Sequence, residues 1–438
     1  MQKNHLNVYL NRVLEKTLYF LLRQVSHIKE GGFLVVVRKL RFLLSIIISI
    51  LLTFPAIPIV IIMRILRPFV VIRLGSLDLT RIGALCHAEW YLCNHYANTN
   101  CNRYLDIFYY VKSCMPIANS PWLKMWKRLV FVSIFFGRLA RSVDNLNRSL
   151  PGYASHIIPK YGIPPKNESL KAILACKKPF LTFTPEEEIR GKKLLREIGI
   201  PEGVPYICFH ARDSAYLNVV HNARDWSYHD YRDANINNYI HAVEQLVCRG
   251  YYGIRMGAIV KENLTASNPK IIDYASNGKR TDFMDIYLGA KCRFFICGDS
   301  GLNMVPESFR LPIVYVNLTH WAQLSTWSHN GLNIGKKFYL SGENRFLTFR
   351  EIINSELGYI YDVKLLKQKG VEIIENTPEE IAAVTIEMDE RLKGTWRTTQ
   401  EDEELQKHFW GIYGSDKLKS PDYRIGTEFL RQNRELLK

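Results

Sequence analysis

The chain lacks most of the arrangements that announce a chemistry. Its nine cysteines form no CxxC pair and stand at no zinc-ligand spacing, which argues against a dithiol redox centre or a structural zinc site. Neither GxxxxGK[ST] nor GxGxxG occurs, so a P-loop nucleotidase and a nicotinamide enzyme are not indicated. Nowhere do two aspartates stand at i and i+2. The carboxylate pair that many enzymes use to hold a divalent ion against a diphosphate is therefore missing, and a phosphate site without metal or other cofactor is expected. No internal repeat or low-complexity tract is evident.

What the chain does have is greasiness and positive charge. Hydrophobic residues make up 47% and aromatics 12% of 438 positions, enough for real cores. Lys+Arg number 58 against 42 Asp+Glu, a balance that favours anionic partners. Basic strips interleaved with aromatics are absent, so nucleic acid is not an expected partner. Cysteines such as Cys93, Cys208, Cys292 and Cys297 lie in apolar or strand-like settings and read as reduced core residues of a cytosolic protein.

The two properties coincide at the N-terminus. Before Val70 ten Lys/Arg face two acids, a net +8 that is half of the chain's +16. Phe42 to Met63 carries no charge over 22 residues, the length needed to cross a hydrocarbon core. The stretch starts too late for a simple cleaved signal peptide. Pro55 and Pro58 interrupt it, and basic residues flank both ends, leaving three readings: a kinked spanning helix, a re-entrant hairpin, or a buried helix pair. The symmetric flanks suit two ends meeting one anionic leaflet, which favours the hairpin. Upstream, Leu6 to Ile28 shows apolar residues at helical spacing with basic ones between, consistent with an interfacial helix.

From Pro68 the texture becomes globular. Phe69 to Arg73 and Leu105 to Val111 read as strands around a helical Leu85 to Leu92. Thr184-Pro185-Glu186-Glu187 and Thr377-Pro378-Glu379-Glu380 each carry a helix-capping signature. Between them strands at Tyr206 to Phe209, Tyr251 to Met256, Arg293 to Cys297 and Ile313 to Val316 alternate with helices at Ile236 to Val247, Thr281 to Ala290 and Gly301 to Phe309. Such alternation makes a parallel sheet, and ligands bind outside its carboxyl ends.

Three clusters fall at those ends. His210-Ala211-Arg212-Asp213 combines a guanidinium fork suited to phosphate oxygens with two candidate bases. Arg255 ends the next strand before Gly257. Asp299-Ser300-Gly301-Leu302-Asn303 puts glycine and free amides at a helix start. Each has a plainer alternative: a surface ion pair, an arginine paired to a neighbouring carboxylate, and an ordinary strand-to-helix turn. Weaker candidates are Lys279 and Arg280 for phosphate, Asp225 as a base beside Arg224, the pair Arg232-Asp233, Glu307 for a ribose, and His320, Trp321 and Gln323 to frame a base or sugar.

Taken in order, VVIRLGSLDLTRIGAL, YLDIFYYV, ANSPWLKMWKR, YICFHARDSAYL, YRDANINNYIHAVEQLVCRGYYGIRMG, DFMDIYLGAKCRFFICGDSGL and VPESFRLPIVYVN resemble a family of bacterial glycosyltransferases found with surface-polysaccharide genes. The H-x-R element also resembles the phosphate-binding signature of fucosyltransferase-like GT-B enzymes, where the arginine contacts the donor β-phosphate; here that residue is Arg212. One departure is Gly83-Ala84, where the resemblance leads one to expect a histidine after the glycine, with His87 three residues on.

The resemblance implies an α/β, GT-B-like chain: two Rossmann-like domains facing a cleft, preceded by a helical membrane-associated N-terminal segment. The expected organisation is a membrane-associated segment (1–67), an acceptor-side domain (68–195), a donor-binding domain (196–330) and a helical extension (331–438). The expected activity is metal-independent transfer of a sugar from a nucleotide-sugar donor to a lipid-linked or polysaccharide acceptor, at the cytoplasmic face of the inner membrane, with anionic lipid as a further partner. Arg212, Arg255, Ser300, Gly301 and Asn303 would hold the donor, and Asp213 or His210 would take the proton. The alternative from another class is a non-catalytic membrane-associated module that binds a nucleotide or glycan in the same cleft.

Overall fold

The computed structural model describes residues 35–37, 39–41, 43–97, 103–112, 115–159, 167–222, 225–414 and 417–438. The expected interfacial stripe from Leu6 to Ile28 lies outside these residues.

Two parallel sheets organise the chain. The smaller holds β1 (Val71–Ser76), β2 (Tyr104–Tyr109) and β3 (Val132–Ser133) in that order. The larger is built from β4 (Tyr206–His210), β5 (Tyr252–Arg255), β6 (Ile271–Asp273), β7 (Phe295–Cys297), β8 (Ile313–Leu318), β9 (Gly331–Gly335) and a late strand Arg424–Ile425. A separate antiparallel sheet holds β10 (Lys337–Leu340), β11 (Arg345–Phe346) and β12 (Val371–Ile374), which makes the late strand β13. The large sheet has the order β13-β9-β8-β7-β4-β5-β6, and every pairing in it is parallel. Its central strands read as continuous apolar runs because both faces are covered: Ile207, Cys208 and Phe209 of β4 and all three residues of β7 are fully buried. The chain starts at β4, runs outward to β6, then returns to β7 on the other side of β4. The switch point therefore lies between β4 and β7, where a parallel sheet opens a crevice at its carboxyl edge.

Local chemistry explains the helices that the sequence announced. Thr184 and Thr377 each accept an amide from a glutamate three residues on, which returns the bond to the threonine amide. The first of these helices, Pro185–Glu197, was grouped with the N-terminal unit but packs on the large one. A Cβ at Gly191 would lie 2.2 Å from the Tyr287 ring. The region 331–438, expected as a helical extension, is likewise part of the large unit: it supplies β9, β13 and the antiparallel sheet, and its Ile381, Val384, Phe409 and Phe429 join that unit's core.

The apolar N-terminal segment differs from the favoured hairpin. Val35–Ile65 is one helix with no turn at Pro55 or Pro58, long and apolar enough by length and composition to cross a membrane. The hydroxyls of Ser49 and Thr53 bond back to the carbonyls of Ser45 and Ser49, so these polar side chains are satisfied within the helix itself. Its last turns dock, with Ala56, Val60 and Met63 buried against Leu74, Tyr109 and Val143. Arg64 fixes the end through Asn147 Oδ1 at 2.9 Å and the Pro151 carbonyl at 2.8 Å.

The two units meet at a buried joint. Leu79, Trp122 and Trp126 of the small unit pack in one cluster with Ile286 and Val305 of the large one. A Cβ on Gly83 would lie 2.9 Å from the Cα of Gly301, and one on Gly301 3.1 Å from the Gly83 amide. Gly83, which precedes the Ala84 that stands where a histidine was expected, is thus a point where the two backbones touch. Beside it Glu89 and Arg310 form an ion pair with side chains only 5% and 9% exposed. Arg310 also donates to the carbonyls of Cys176 (2.7 Å) and Glu307 (3.0 Å), and it holds φ at 59°, a conformation costing on the order of 1–3 kcal/mol unless contacts enforce it. Arg310→Met should destabilise the detergent-solubilised chain by about 3–5 kcal/mol, because Glu89 is left buried without its partner. Adding Glu89→Leu should recover part of that loss in denaturant unfolding, whereas equal stability of the single and double variants would mean that the pair is not the joint.

Candidate functional site

At the switch point β4 delivers Arg212 and β7 delivers Asp299 and Ser300. Arg212 is 8% exposed. One amino group bonds Asp233 and the His229 carbonyl, but its Nη2 is buried with no partner among the described residues. Burial, together with the neighbouring Arg232, lowers this guanidinium to about 10. Arg232 meets His229 Nδ1 at 2.8 Å through Nη2, while its Nε is also buried and unpartnered. Two adjacent arginines thus keep donors turned inward and unused. Such donors are free to bond an incoming acceptor, and an acceptor that met them would remove the cost of leaving them unmade.

Other elements close on the same spot. Lys336, between β9 and β10 and 3% exposed, donates to the carbonyls of Asp233 (2.5 Å) and Tyr231 (3.2 Å), and burial lowers its pKa. His320, just past β8, sets Nδ1 3.0 Å from Asp299 and Nε2 2.8 Å from the Ile360 carbonyl. Burial would raise Asp299, but the facing His320 and Thr319 outweigh it and hold the carboxyl well below its ordinary value. Tyr231 hydroxyl bonds the Ile360 carbonyl at 2.7 Å. The result is a buried polar floor in which Arg212, Arg232 and Lys336 stand among the carboxylates of Asp233 and Asp299.

The remaining candidates are placed differently. His210 Nδ1 lies 3.0 Å from the Met256 carbonyl, and burial lowers its pKa against the pull of Asp213. Asp213 spends both oxygens on main-chain amides, those of Ala215 at 2.9 Å and Lys261 at 3.0 Å. Arg255 turns toward β6 and is bound by Asp273 at 3.0 Å and the Glu262 carbonyl at 2.6 Å, so the plainer alternative, pairing with a neighbouring carboxylate, describes it. Ser300 caps the turn by accepting from the Leu302 amide at 3.3 Å, and Asn303 is buried one turn on. Gly301 lies against Gly83. Asp225 accepts from the Ser227 amide at 2.9 Å; Arg224 falls outside the described residues. Lys279 and Arg280 serve the Glu197 carbonyl and the carboxylates of Asp282 and Asp285. Trp321 is core, 1% exposed with its indole on the Lys336 carbonyl, and Gln323 bonds Tyr361.

A second feature went unread in the sequence. At the carboxyl edge of the small sheet, Gly75, Ser76, Asp78, Thr80, His87, Tyr110, Val111 and Arg141 line a cavity of about 420 Å³. Asp78 is exposed and accepts both the amide (2.8 Å) and hydroxyl (2.6 Å) of Thr80 on Oδ1. The two rims are joined by the segment that follows β4: Arg81 stacks 4.9 Å over the Trp226 ring, and His221 Nδ1 lies 2.9 Å from Met115 sulfur. A carboxylate two residues past a strand end was visible in LGSLD, but only the topology shows that it lines a hollow.

No family model matches the chain, and no curated protein matches it by sequence. Among solved structures it is similar to the family 9 glycosyl transferase of Veillonella parvula DSM 2008, at 10% identity over 56% of this chain and 79% of the other, with a TM-score of 0.34. It is similar to the ADP-heptose LPS heptosyltransferase II of E. coli at 12% identity over 67% and 98%, TM-score 0.36. A third is the iron-containing dodecameric glycosyltransferase TibC of enterotoxigenic E. coli H10407, at 13% over 59% and 60%, TM-score 0.29. The likeness is distant, and no residue role is taken from it.

Glu307, considered for a ribose, instead faces inward and accepts bonds from Tyr315 and from the Trp327 indole. Burial pushes its carboxyl up to about 7. The folded chain therefore keeps a proton that the unfolded chain releases, so this group's contribution is complete below the ordinary 4.5 and is lost as pH rises through about 7. The thermal midpoint should fall between about pH 5 and about pH 8 more in the wild type than in Glu307→Gln; parallel pH profiles would contradict this.

Proposed function

We propose that the chain is a membrane-associated glycosyltransferase that moves a sugar from a nucleotide-sugar donor to a lipid-linked or polysaccharide acceptor at the cytoplasmic face of the inner membrane. The observation that carries this reading is the pair of inward donors on Arg212 and Arg232 at the switch point of the large sheet. A diphosphate is the acceptor-rich, doubly anionic group that such a pair suits.

The chemistry follows from the charge. An acceptor hydroxyl attacks the anomeric carbon, the bond from that carbon to the diphosphate oxygen breaks, and negative charge gathers on the leaving nucleotide. Arg212 and Arg232, backed by Lys336, are preorganised where that charge develops, the arrangement that stabilises a transition state more than a ground state. No metal is required of this step. Ser300 and Gly301 shape the turn beside the pair.

The proton needs a base on the acceptor side. Asp213 is engaged by two amides and His210 by a carbonyl, whereas Asp78 stands on the wall of the 420 Å³ cavity with Thr80 bonding only one of its oxygens. We assign it the role of general base for the acceptor hydroxyl. The cavity is of a size that takes a sugar.

Release of free nucleotide from a panel of nucleotide-sugars, with and without membrane lipid extract as acceptor source, tests the reading. Arg212→Ala and Arg232→Ala should each lower kcat/KM by about 100-fold or more. Asp78→Asn should reduce kcat while donor binding by calorimetry stays intact. Saturable donor binding without turnover in the wild type would favour the binding module instead.

A further inference from the structure

The N-terminal unit carries an exposed apolar corner that no part of the catalytic reading uses. Phe131, Phe135 and Phe136 are 65%, 91% and 60% exposed, with Leu129 beside them. Phe135 and Phe136 pack edge to face at 4.9 Å, so two large rings point into solvent together. Around them Lys124, Lys127, Arg128, Arg138 and Arg141 are exposed, and no acid occurs between Lys124 and Val143. Of these cations Arg128 is paired, with Glu187.

Topology places this corner. The helix Gly137–Arg148 follows β3 and runs back from the carboxyl edge of the small sheet, so Phe136 stands at that edge and Asn147 at the opposite one. The apolar helix Val35–Ile65 leads into β1 and lies against the same helix, with Arg64 reaching Asn147 and Pro151 at the far end. Followed toward its N-terminus, it therefore leaves the unit on the side where Phe135 and Phe136 project. The cavity lined by Val111 and Arg141 opens at this edge too.

We propose that residues 129–136 form an interfacial foot that seats Phe131, Phe135 and Phe136 in an anionic bilayer beside the apolar helix, with Lys127 and Arg138 on the lipid headgroups. Aromatic rings belong at the water–hydrocarbon boundary, and basic residues add attraction to anionic lipid. The foot brings the cavity mouth to the membrane surface, so the acceptor class it serves is a headgroup presented by a lipid. The inference rests on the membrane part of the proposed function.

The test is photocrosslinking of the full chain in vesicles of phosphatidylglycerol and phosphatidylcholine, with p-benzoylphenylalanine in place of Phe135 or Phe136. A matched control replaces Phe346, a phenylalanine 36% exposed on the antiparallel sheet of the other unit. Lipid adducts are expected at both foot positions and not at the control, and their yield should fall several-fold when phosphatidylglycerol is omitted or when Lys127→Glu and Arg138→Glu are combined. A crosslink to a second protein copy, or lipid yields no higher than at position 346, would overturn the proposal. Turnover is not read here, so the adducts test the foot alone, and a failure of the donor-turnover assay would sink the transferase reading without touching it.

Discussion

The joint between the two sheets is the constraint from which the rest follows. Gly83 and Gly301 bring two backbones closer than any side chain permits, and the buried Glu89–Arg310 pair locks them at that distance. A buried ion pair adds little net stability over apolar packing, yet it punishes any arrangement that parts its members. Its effect is positional: the turn after β7 is held against the stretch after β1, with contacts from the segment after β4 beside them. One rim offers arginine donors and the other a hollow with a carboxylate. Neither rim alone has both halves of a group-transfer site.

Arg212 and Arg255 stand at the ends of neighbouring strands but differ in how their donors are used. Arg255 is as buried as Arg212 and ends the neighbouring strand, but Asp273 and a main-chain carbonyl absorb it. Arg212 and Arg232 each retain a buried donor, and their mutual repulsion is partly offset by Asp230 and Asp213 near Arg212 and by Asp299 near Arg232. Buried donors kept in this state are a store of interaction energy for an incoming anion, which is the form of preorganisation that phosphate chemistry exploits.

Much of this was legible where the physics is local. The capping boxes at Thr184 and Thr377 need only residues three apart, and β4, β5, β7 and β8 show as apolar runs because they are buried on both faces. The same local signature at Thr348-Glu351 and Thr399-Asp402 was present but unread. Strands β6, β9 and β13 were illegible for a different reason: three residues, a glycine-bounded GLNIG and a dipeptide have little preference of their own and become strands only through pairing at a sheet that already exists. The site behaved likewise. Arg212 was identifiable from its place at a strand end, but its equivalence with Arg255 could be broken only by seeing which partners each side chain finds. Asp78 and Lys336 had no motif at all, and Trp321, unlike His320 beside it, is buried in the core with its indole on the Lys336 carbonyl.

The most direct measurement is the position of a bound donor. A structure of the full chain with a nucleotide-sugar should put a diphosphate oxygen within hydrogen-bond distance of Arg212 Nη2 and Arg232 Nε, with the sugar directed at Asp78. A nucleotide seated elsewhere, with both arginine donors still turned inward and unpartnered, would contradict the account.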